Sequence, residues 1–379
     1  MKALVLAAAA LAALTAVSTA GAAITRTERV VRSQTGTHVW SYTYVNGKPS
    51  AYVLRNYDVV GRPLGVHRGA LKQVGAKYAT GSGRVFDPNP VAALHNESLT
   101  DQDDADYAAL QPSYVTRPLT NLDGSGFLEG PYVDVSGTKS RAKEPSLVFS
   151  YGRTDDRFEQ VEAYWAINGA EEYIQSLGFQ NVNNEPQRVK IDQWGIDNSA
   201  YHPNNDTIKF GKGGVDDAED SEVVWHELGH AIQDDQVKGF GTTLESGSIG
   251  EGFGDYWAYT MSLPTGGGFD PPCIADWDST SYTSTVPHCL RRLDRDLHYP
   301  ADLNGEVHHD GQIWSRALWD IRQSIGNVKA DTVILTGTMD FPGTTMTAAA
   351  NSTIAAAQQI YGTKTANAVR AAFHDRGIV

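Results

Sequence analysis

The first part of the chain alternates between apolar and polar positions, which is the pattern of β-strands with one buried face. Residues 36–66 alternate in this way and turn at Asn46-Gly47, between the strand-like segments 39–45 and 50–54. An Asn-Gly dipeptide between two such segments is a strong hairpin signal, because both residues accept the backbone of a tight turn. We therefore predict a small β-rich unit in this region.

Beyond a loop-like stretch with an acidic run at 101–106, apolar residues recur mostly at helical spacing. The predicted helices cover residues 158–178, 220–232, 348–361 and 365–373, and strands are predicted between Val182 and Ile208. Glycines that stop helices follow the last two segments at Gly362 and Gly377. The pattern predicts an α+β fold with a β-rich beginning and a helical C-terminus.

A secretory signal peptide is expected at the N-terminus. The first two residues give a positive start, an apolar run extends from Ala3 to Val17, and small residues continue through Ala23. That run is too short to span a bilayer, and the small residues suit a cleavage site. The alternative is a buried N-terminal helix. We predict that residues 1–22 are a signal peptide and that the protein is secreted, with no membrane partner.

The composition is acidic, with a formal net charge of −14 at pH 7. An acidic surface argues against nucleic acid or an anionic membrane as a partner. Charge of this kind aids solubility and carries little information about the fold.

The chain has two cysteines, Cys273 and Cys289. In an exported protein the expected arrangement is one disulfide bond between them. A thiolate metal site is the alternative, but the Cys-x-x-Cys spacing typical of such sites is missing.

His226, Glu227 and His230 form a His-Glu-x-x-His motif within the predicted helix 220–232. Residues four apart lie on the same helix face, so both imidazoles can reach one metal ion. The glutamate between them is the residue type that takes a proton from metal-activated water. Two histidines on an exposed helix face are the alternative.

A third metal ligand is expected at Glu251, which lies 21 residues after His230. The metzincin class is excluded because Gln233 and Gln236 stand where its pattern requires Gly and His. Asp255 lies four residues after Glu251 and so faces the same side of a helix. A metal-bound histidine usually donates its other N–H to a carboxylate, and Asp255 fits that role.

These motifs resemble those of the gluzincin metallopeptidases, the thermolysin and fungalysin families. The Gly-Glu-Gly-Phe-Gly-Asp segment at 250–255 is closer to the fungalysin form than to the Asn-Glu-x-x-Ser-Asp form of thermolysin. Residues 197–213 are similar to the family's substrate-binding edge strand, and residues 306–320 to the fungalysin Glu-Val-His segment. The resemblance extends from about residue 145 to the C-terminus, with the motifs in the family's order.

The resemblance implies a two-lobed zincin with a β-rich N-terminal lobe, central zinc-binding helices and a mainly helical C-terminal lobe. We expect a β-rich N-terminal region at 23–115 and the catalytic region at 116–379. Relatives usually carry a long propeptide, and the N-terminal region here is either a short pro-segment or part of the lobe.

Further site residues follow from the resemblance. It implies that His308, rather than the neighbouring His309, stabilises the oxyanion, and that Asn198 and Ala200 bind the substrate backbone. Arg291 resembles the arginine that positions substrate carbonyls, although Arg292 could serve instead. Thermolysin also uses a tyrosine as an oxyanion donor, but the matching segment 237–243 has none. Either another group replaces it or the histidine acts alone.

The acid-rich segment 216–222 allows two interpretations. Oxygen-rich clusters bind Ca²⁺, and thermolysin relatives often carry calcium. Acids at a helix N-terminus are also favoured by the helix dipole, and we prefer this second interpretation.

The sequence therefore predicts a secreted zinc endopeptidase that acts on polypeptides, with one catalytic Zn²⁺ and with Ca²⁺ as an optional second ion. A monomer is expected. The alternatives are a zinc aminopeptidase, a non-catalytic binding module on a protease fold, and a structural zinc domain closed by a fourth ligand. The Gly-x-Met-Glu-Asn motif of aminopeptidases is missing, and Glu227 with all three ligands is present.

Overall fold

The computed structural model describes residues 15–19, 22–33, 36–45, 48–58, 63–70, 78–266, 268–339 and 344–379. The chain divides into two units, Met1–Ala76 and Lys77–Val379. All of the predicted site residues lie in the second unit. The predicted domain boundaries remain predictions.

The first unit contains an antiparallel five-stranded sheet in which each strand pairs with the next along the chain. Its strands are β1 (Thr15–Thr19), β2 (Ala22–Ser33), β3 (Gly36–Val45), β4 (Lys48–Asp58) and β5 (Pro63–Ala70). Val45 pairs with Lys48, so the predicted β3–β4 hairpin is confirmed, although the Asn46-Gly47 turn itself lies outside the described residues. Most of the predicted signal peptide also lies outside them and stays a prediction.

The second unit combines nine short strands with eight helices in the part of the chain that is described. Its strands are β6 (Ala79–Phe86), β7 (Tyr114–Leu122), β8 (Val133–Asp134), β9 (Val148–Phe149), β10 (Gln187–Lys190), β11 (Ala200–His202), β12 (Thr207–Lys209), β13 (Cys273–Ile274) and β14 (Arg291–Arg292). Its helices are α1 (Pro90–Leu94), α2 (Arg157–Ser176), α3 (Ser221–Gln236), α4 (Leu244–Ser262), α5 (Val307–Ile325), α6 (Asn327–Thr338), α7 (Met346–Tyr361) and α8 (Thr363–Asp375). The α+β class is therefore confirmed.

The described strands of this unit form three sheets, and the edge strand of one sheet lies beside the predicted site. That sheet has the order β11-β12-β10-β8, with β11 at its edge and antiparallel to β12. A second sheet has the order β7-β6-β9. Strand β6, which pairs with β7, lies in the stretch that the sequence predicts to be loop-like, because its residues from 79 to 83 are small and show no apolar alternation.

Helices α3, α4 and α5 pack side by side and carry the predicted site. Asp220 caps α3 by accepting a hydrogen bond from the Glu222 backbone N–H, 2.9 Å away. The buried Trp225 donates its indole N–H to the Ala166 carbonyl, which ties α3 to α2. Thr243 and Ser246 form a capping box at the start of α4. The starts of α3 and α4 are thus capped by side chains of the residues at their own N-termini.

Close approach between these helices depends on glycine. A Cβ added at Gly254 of α4 would lie 2.7 Å from Nδ1 of His226. A Cβ added at Gly311 of α5 would lie 2.8 Å from the Glu251 Cβ. Both distances are too short for a side chain, so the glycines let α3 and α5 approach the face of α4 that carries Glu251.

Within the described residues, none of the helices combines the length and the apolar composition needed to cross a membrane.

Candidate metal centre

Helix α3 presents the two motif histidines to the same point. The Nε2 atoms of His226 and His230 lie 3.2 Å apart, as the four-residue spacing predicts. His226 and Glu227 are both buried. Burial lowers the pKa of His230, which favours the neutral imidazole that a metal ion requires.

Helix α4 brings the predicted third ligand to this point. The Glu251 carboxylate lies 3.3 Å from Nε2 of His226 and 3.5 Å from Nε2 of His230. One ligand atom from each of the three residues falls within 4.8 Å of the others. The structure thus brings together the three residues that the sequence predicted.

Asp255 contacts the far side of His226, with its Oδ1 2.9 Å from Nδ1 of the imidazole. Arg291 donates two hydrogen bonds of 2.7 Å to the same carboxylate. Burial alone would favour the neutral acid, but the Arg291 charge and the His226 contact hold the pKa of Asp255 at about 2. An ionised Asp255 accepts from Nδ1 of His226 and turns Nε2 towards Glu251 and His230. Burial acts to lower the pKa of His226, but the contacts with Asp255 and Glu251 raise it to about 10, so a metal ion must displace the Nε2 proton.

The two neighbouring arginines occupy different environments. Arg291 lines the cavity at the histidines, whereas Arg292 pairs with Asp270 and Asp294 and lines a separate surface depression. Of the two arginines, Arg291 alone lines the cavity at the histidines.

His308 and His309, at the start of α5, also differ in what they face. Nε2 of His308 lies 3.5 Å from Glu251, and Nδ1 lies 2.5 Å from the Glu306 carboxylate. His309 contacts Asp310 instead, at 3.1 Å. The structure therefore places His308 at the site and His309 outside it.

A cavity of about 710 Å³ opens at the three predicted ligands, and we call it the cleft. Asn198 and Ala200 line it, and Ala200 begins the edge strand β11. Two tyrosines also line it, but the Tyr201 hydroxyl donates to Asp206 and Asp234, and the Tyr282 hydroxyl donates to Asp278. Both hydroxyls are already engaged by acids.

The residues present fit a zinc ion. Two imidazole nitrogens and one carboxylate are the donors that catalytic zinc takes in hydrolases of this kind. Within the described chain, Oε2 of Glu251 and Oε2 of Glu227 are buried without a hydrogen-bond partner. Buried carboxylate oxygens without a partner are costly, and a bound cation would offset that cost for Glu251.

The predicted disulfide between Cys273 and Cys289 is confirmed. It joins β13 to the segment that leads into β14, where Arg291 pairs with Ile274 in the antiparallel ladder. The bond therefore braces the strand that carries the cleft arginine.

Sequence reasoning missed Glu306 as a member of the site. Its carboxylate caps α5 by accepting from the backbone N–H groups of His308 and His309, and it also contacts the His308 ring. The signal was local, since Glu306 stands two residues before the histidine in the same motif. An acid at position 306 both caps α5 and orients the His308 imidazole.

Comparison with known proteins agrees with this geometry. Residues 211–378 match the family model of the fungalysin metallopeptidases (M36). That range contains α3, α4, His308 and Arg291, but it begins after Asn198 and Ala200. No curated protein matches the chain. The resemblance to the fungalysin branch of the gluzincin metallopeptidases is therefore confirmed over residues 211–378.

Proposed function

We propose that the protein is a secreted zinc endopeptidase. The observation that carries this proposal is the convergence of His226, His230 and Glu251 within 4.8 Å at the wall of an open cleft, with Glu227 between the two histidines in sequence. The fungalysin match supports a metallopeptidase and favours none of the alternatives.

His226, His230 and Glu251 would hold one zinc ion. When bound, zinc supplies Lewis acidity and lowers the pKa of water to about 7. Asp255 keeps His226 in the tautomer that can bind the ion, and Arg291 keeps Asp255 ionised. The ligand set is therefore held by a second layer of buried charges.

Glu227 is the proposed general base. Its carboxylate lies in the cleft, is buried and has a free oxygen within the described chain. It accepts the proton of the attacking water and then passes it to the leaving amine. A single carboxylate can serve both steps because the two proton transfers occur in sequence.

His308 is the proposed donor to the developing oxyanion. Glu306 holds the Nδ1 side of its ring, which leaves Nε2 to face the cleft. Because both cleft tyrosines donate to acids, we propose that His308 acts without a second side-chain donor.

Asn198 and Ala200 are proposed to bind an extended substrate beside β11. An edge strand has free backbone groups that can pair with a peptide along its length. Such pairing needs no free substrate terminus, which favours endopeptidase over aminopeptidase action.

We further propose a two-lobed layout with the zinc helices between a strand-rich part and the helical C-terminal part. The expected signal peptide and the disulfide bond support secretion, and a monomer is expected.

Calcium is the second proposed ion, and the acid-rich segment 216–222 contributes one of its ligands. Asp220 and Glu222 fit the interpretation of acids at a helix N-terminus. Asp220 accepts a hydrogen bond from the Glu222 backbone N–H at the start of α3, and Glu222 accepts one from the Ala275 backbone N–H. Asp216 instead lies within 4.8 Å of Glu159 and Asp192, and none of these three residues is among those that line the cleft.

This second group has the chemistry of a cation site. Both oxygens of the buried Glu159 and one oxygen each of Asp192 and Asp216 lack a hydrogen-bond partner in the described chain. Asp156 adds a fourth acid next to Asp192. Oxygen ligands of this kind suit Ca²⁺.

The test of endopeptidase action is hydrolysis of one peptide in two forms, N-acetylated and with a free N-terminus. We expect internal cleavage of both forms at similar rates, with products identified by mass spectrometry. Stepwise release of N-terminal residues from the free form alone would indicate an aminopeptidase. Zinc-dependent binding of both forms without hydrolysis would indicate the binding module.

A further inference from the structure

Three aspartates form a second acidic group in the wall of the cleft. Asp197, Asp217 and Asp278 line the same cavity as the zinc ligands, and one oxygen of each lies within 4.8 Å of the others. They come from the loop before β11, the turn before α3 and the segment after β13. We call them the acidic pocket.

Two of these acids are buried and only partly satisfied. Asp217 is 2% exposed and Asp278 is 5% exposed, and Oδ1 of each has no hydrogen-bond partner in the described chain. The other oxygens accept from the Ser199 and Tyr282 hydroxyls. An unpartnered buried carboxylate oxygen is unfavourable unless a donor arrives from outside.

Electrostatics in the pocket favours an incoming cation. Burial raises the pKa of Asp278, and the charges that act on it most strongly are those of Asp217, Asp197 and Asp220. Burial and the Asp197 charge also raise the pKa of Asp217, to about 7. A positive group placed among these acids would lower their pKa values and stabilise the ionised carboxylates that bind it.

Apolar side chains line the cavity beside the acids. Val223, Ile274 and Leu290 are part of the same lining, and Leu290 is 36% exposed whereas Asp217 and Asp278 are buried. The cavity therefore combines an apolar wall with buried carboxylates. Lysine and arginine side chains combine the matching groups, an apolar stem and a charged head.

The pocket is next to the proposed point of hydrolysis. Val223 lies four residues before Glu227, on the same face of α3. Asp217 is close enough to Glu227 for the Glu227 charge to raise its pKa. A side chain in the pocket would belong to a residue next to, or very near, the scissile bond.

We propose that the acidic pocket is a specificity subsite that takes the lysine or arginine side chain of a peptide substrate beside the scissile bond. This inference rests on the proposed peptidase function and names its substrate class. The carboxylates of Asp217 and Asp278 bind the ammonium or guanidinium group, while the apolar wall packs against its stem.

A metal ion is the competing occupant, because three acids also resemble a cation site. Calcium takes six to eight oxygen ligands, and one oxygen of Asp217 and one of Asp278 are already engaged by hydroxyls. The pocket also opens into the cleft, unlike the group around Glu159. These features favour a substrate side chain.

The experiment compares peptides that differ only in charge at one position beside the cleavage site, lysine against norleucine and arginine against citrulline. We expect wild type to cleave the charged peptide with kcat/KM at least about tenfold higher. The Asp217→Asn/Asp278→Asn double variant should still cleave but lose this preference. Asp375→Asn, an exposed acid at the end of α8, is the control and should keep it.

Binding provides a readout that does not need activity. Zinc-loaded Glu227→Gln protein should bind the lysine peptide at least about tenfold more tightly than the norleucine peptide, and the two Asn substitutions should abolish the difference. Equal binding and equal cleavage of charged and uncharged peptides by wild type would overturn the proposal. So would a metal ion other than zinc that wild type holds and the double variant loses.

Failure of the proposed peptidase function has a different signature. In that case wild type would show the charge preference in binding but no hydrolysis of either peptide. The comparison of the lysine and norleucine peptides uses wild-type protein alone. It therefore tests the proposal even if the double variant folds poorly. Thermal melting of each single Asn variant checks that the fold is retained.

Discussion

His308 and His309 are adjacent in the chain, yet their surroundings give them different roles. The His308 side chain is 54% exposed at the cleft and lies between Glu251 and Glu306. The His309 side chain is 32% exposed and lies against the buried Asp310, away from the cleft lining. At the scale of single residues, the proposed function therefore depends on which imidazole faces the cleft.

His308→Ala should lower kcat about 10²- to 10³-fold with little change in KM, because an oxyanion donor acts mainly in the transition state. His309→Ala is the matched control and should keep kcat within about threefold of wild type. Steady-state kinetics on one peptide, with melting temperature and zinc content measured for each variant, checks this. If kcat fell equally in the two variants, His308 would not be the specific donor to the oxyanion.

At the scale of elements, the site depends on how closely α3, α4 and α5 pack. Gly254 meets the His226 ring, and Gly311 meets Glu251, so the ligands converge only because these positions lack a side chain. The Gly-rich sequence of α4 would be a poor helix in isolation. Tertiary packing against α3 and α5 offsets that weakness.

Gly254→Ala should reduce zinc affinity and destabilise the fold, because its Cβ would lie 2.7 Å from Nδ1 and 3.0 Å from the backbone oxygen of His226. Gly169→Ala is the matched control on α2, where a Cβ meets no atom within 4 Å. The control should be neutral or more stable by about 0.5–1 kcal/mol. Zinc titration and thermal melting of both variants decide this, and an unchanged zinc affinity in Gly254→Ala would contradict the packing argument.

The junction of α2, the loop after β10 and the turn before α3 should respond to pH and calcium. Burial and the neighbouring acids raise the pKa of Asp216 to about 8, and burial raises the pKa of Glu159 well above its usual value. Other charged groups near this junction are Asp104, Asp156, Glu219 and Lys212.

These shifts fix the sign of the pH dependence. The folded state keeps protons that the unfolded state releases above about pH 4, so without calcium the free energy of unfolding should fall as pH rises from about 4 to about 8. Added Ca²⁺ should raise the melting temperature more at pH 8 than at pH 5, with zinc present throughout. Glu159→Gln should remove that response. If added Ca²⁺ left the melting temperature of wild type unchanged at pH 8, the proposed calcium site would be wrong.

Local patterns predicted some elements and not others. The His-Glu-x-x-His spacing and the helical periodicity placed α3 and two of its ligands, because helix geometry links residues four apart without further information. The acidic pocket had no such signal, since Asp197, Asp217 and Asp278 meet only through the tertiary fold. The β6–β7 pair was missed because the small residues at the start of β6 hide its alternation.

At the scale of the whole molecule, the described chain supports one catalytic unit. Every residue of the candidate site belongs to the unit Lys77–Val379, and the fungalysin match lies wholly within it. The family resemblance supplied the order of the motifs along the chain. The geometry adds which residues face the cleft, namely Arg291 rather than Arg292 and His308 rather than His309.

The central claim is that zinc held by α3 and α4 activates water for Glu227 to deprotonate. The most direct test measures hydrolysis of an unfolded protein by wild type and by Glu227→Gln, with zinc quantified in both. We predict one zinc ion at the site in each, and a rate for the variant that is about 10²- to 10⁴-fold lower. A variant that keeps its zinc and cleaves as fast as wild type, or a zinc-loaded wild type that does not cleave, would contradict the account.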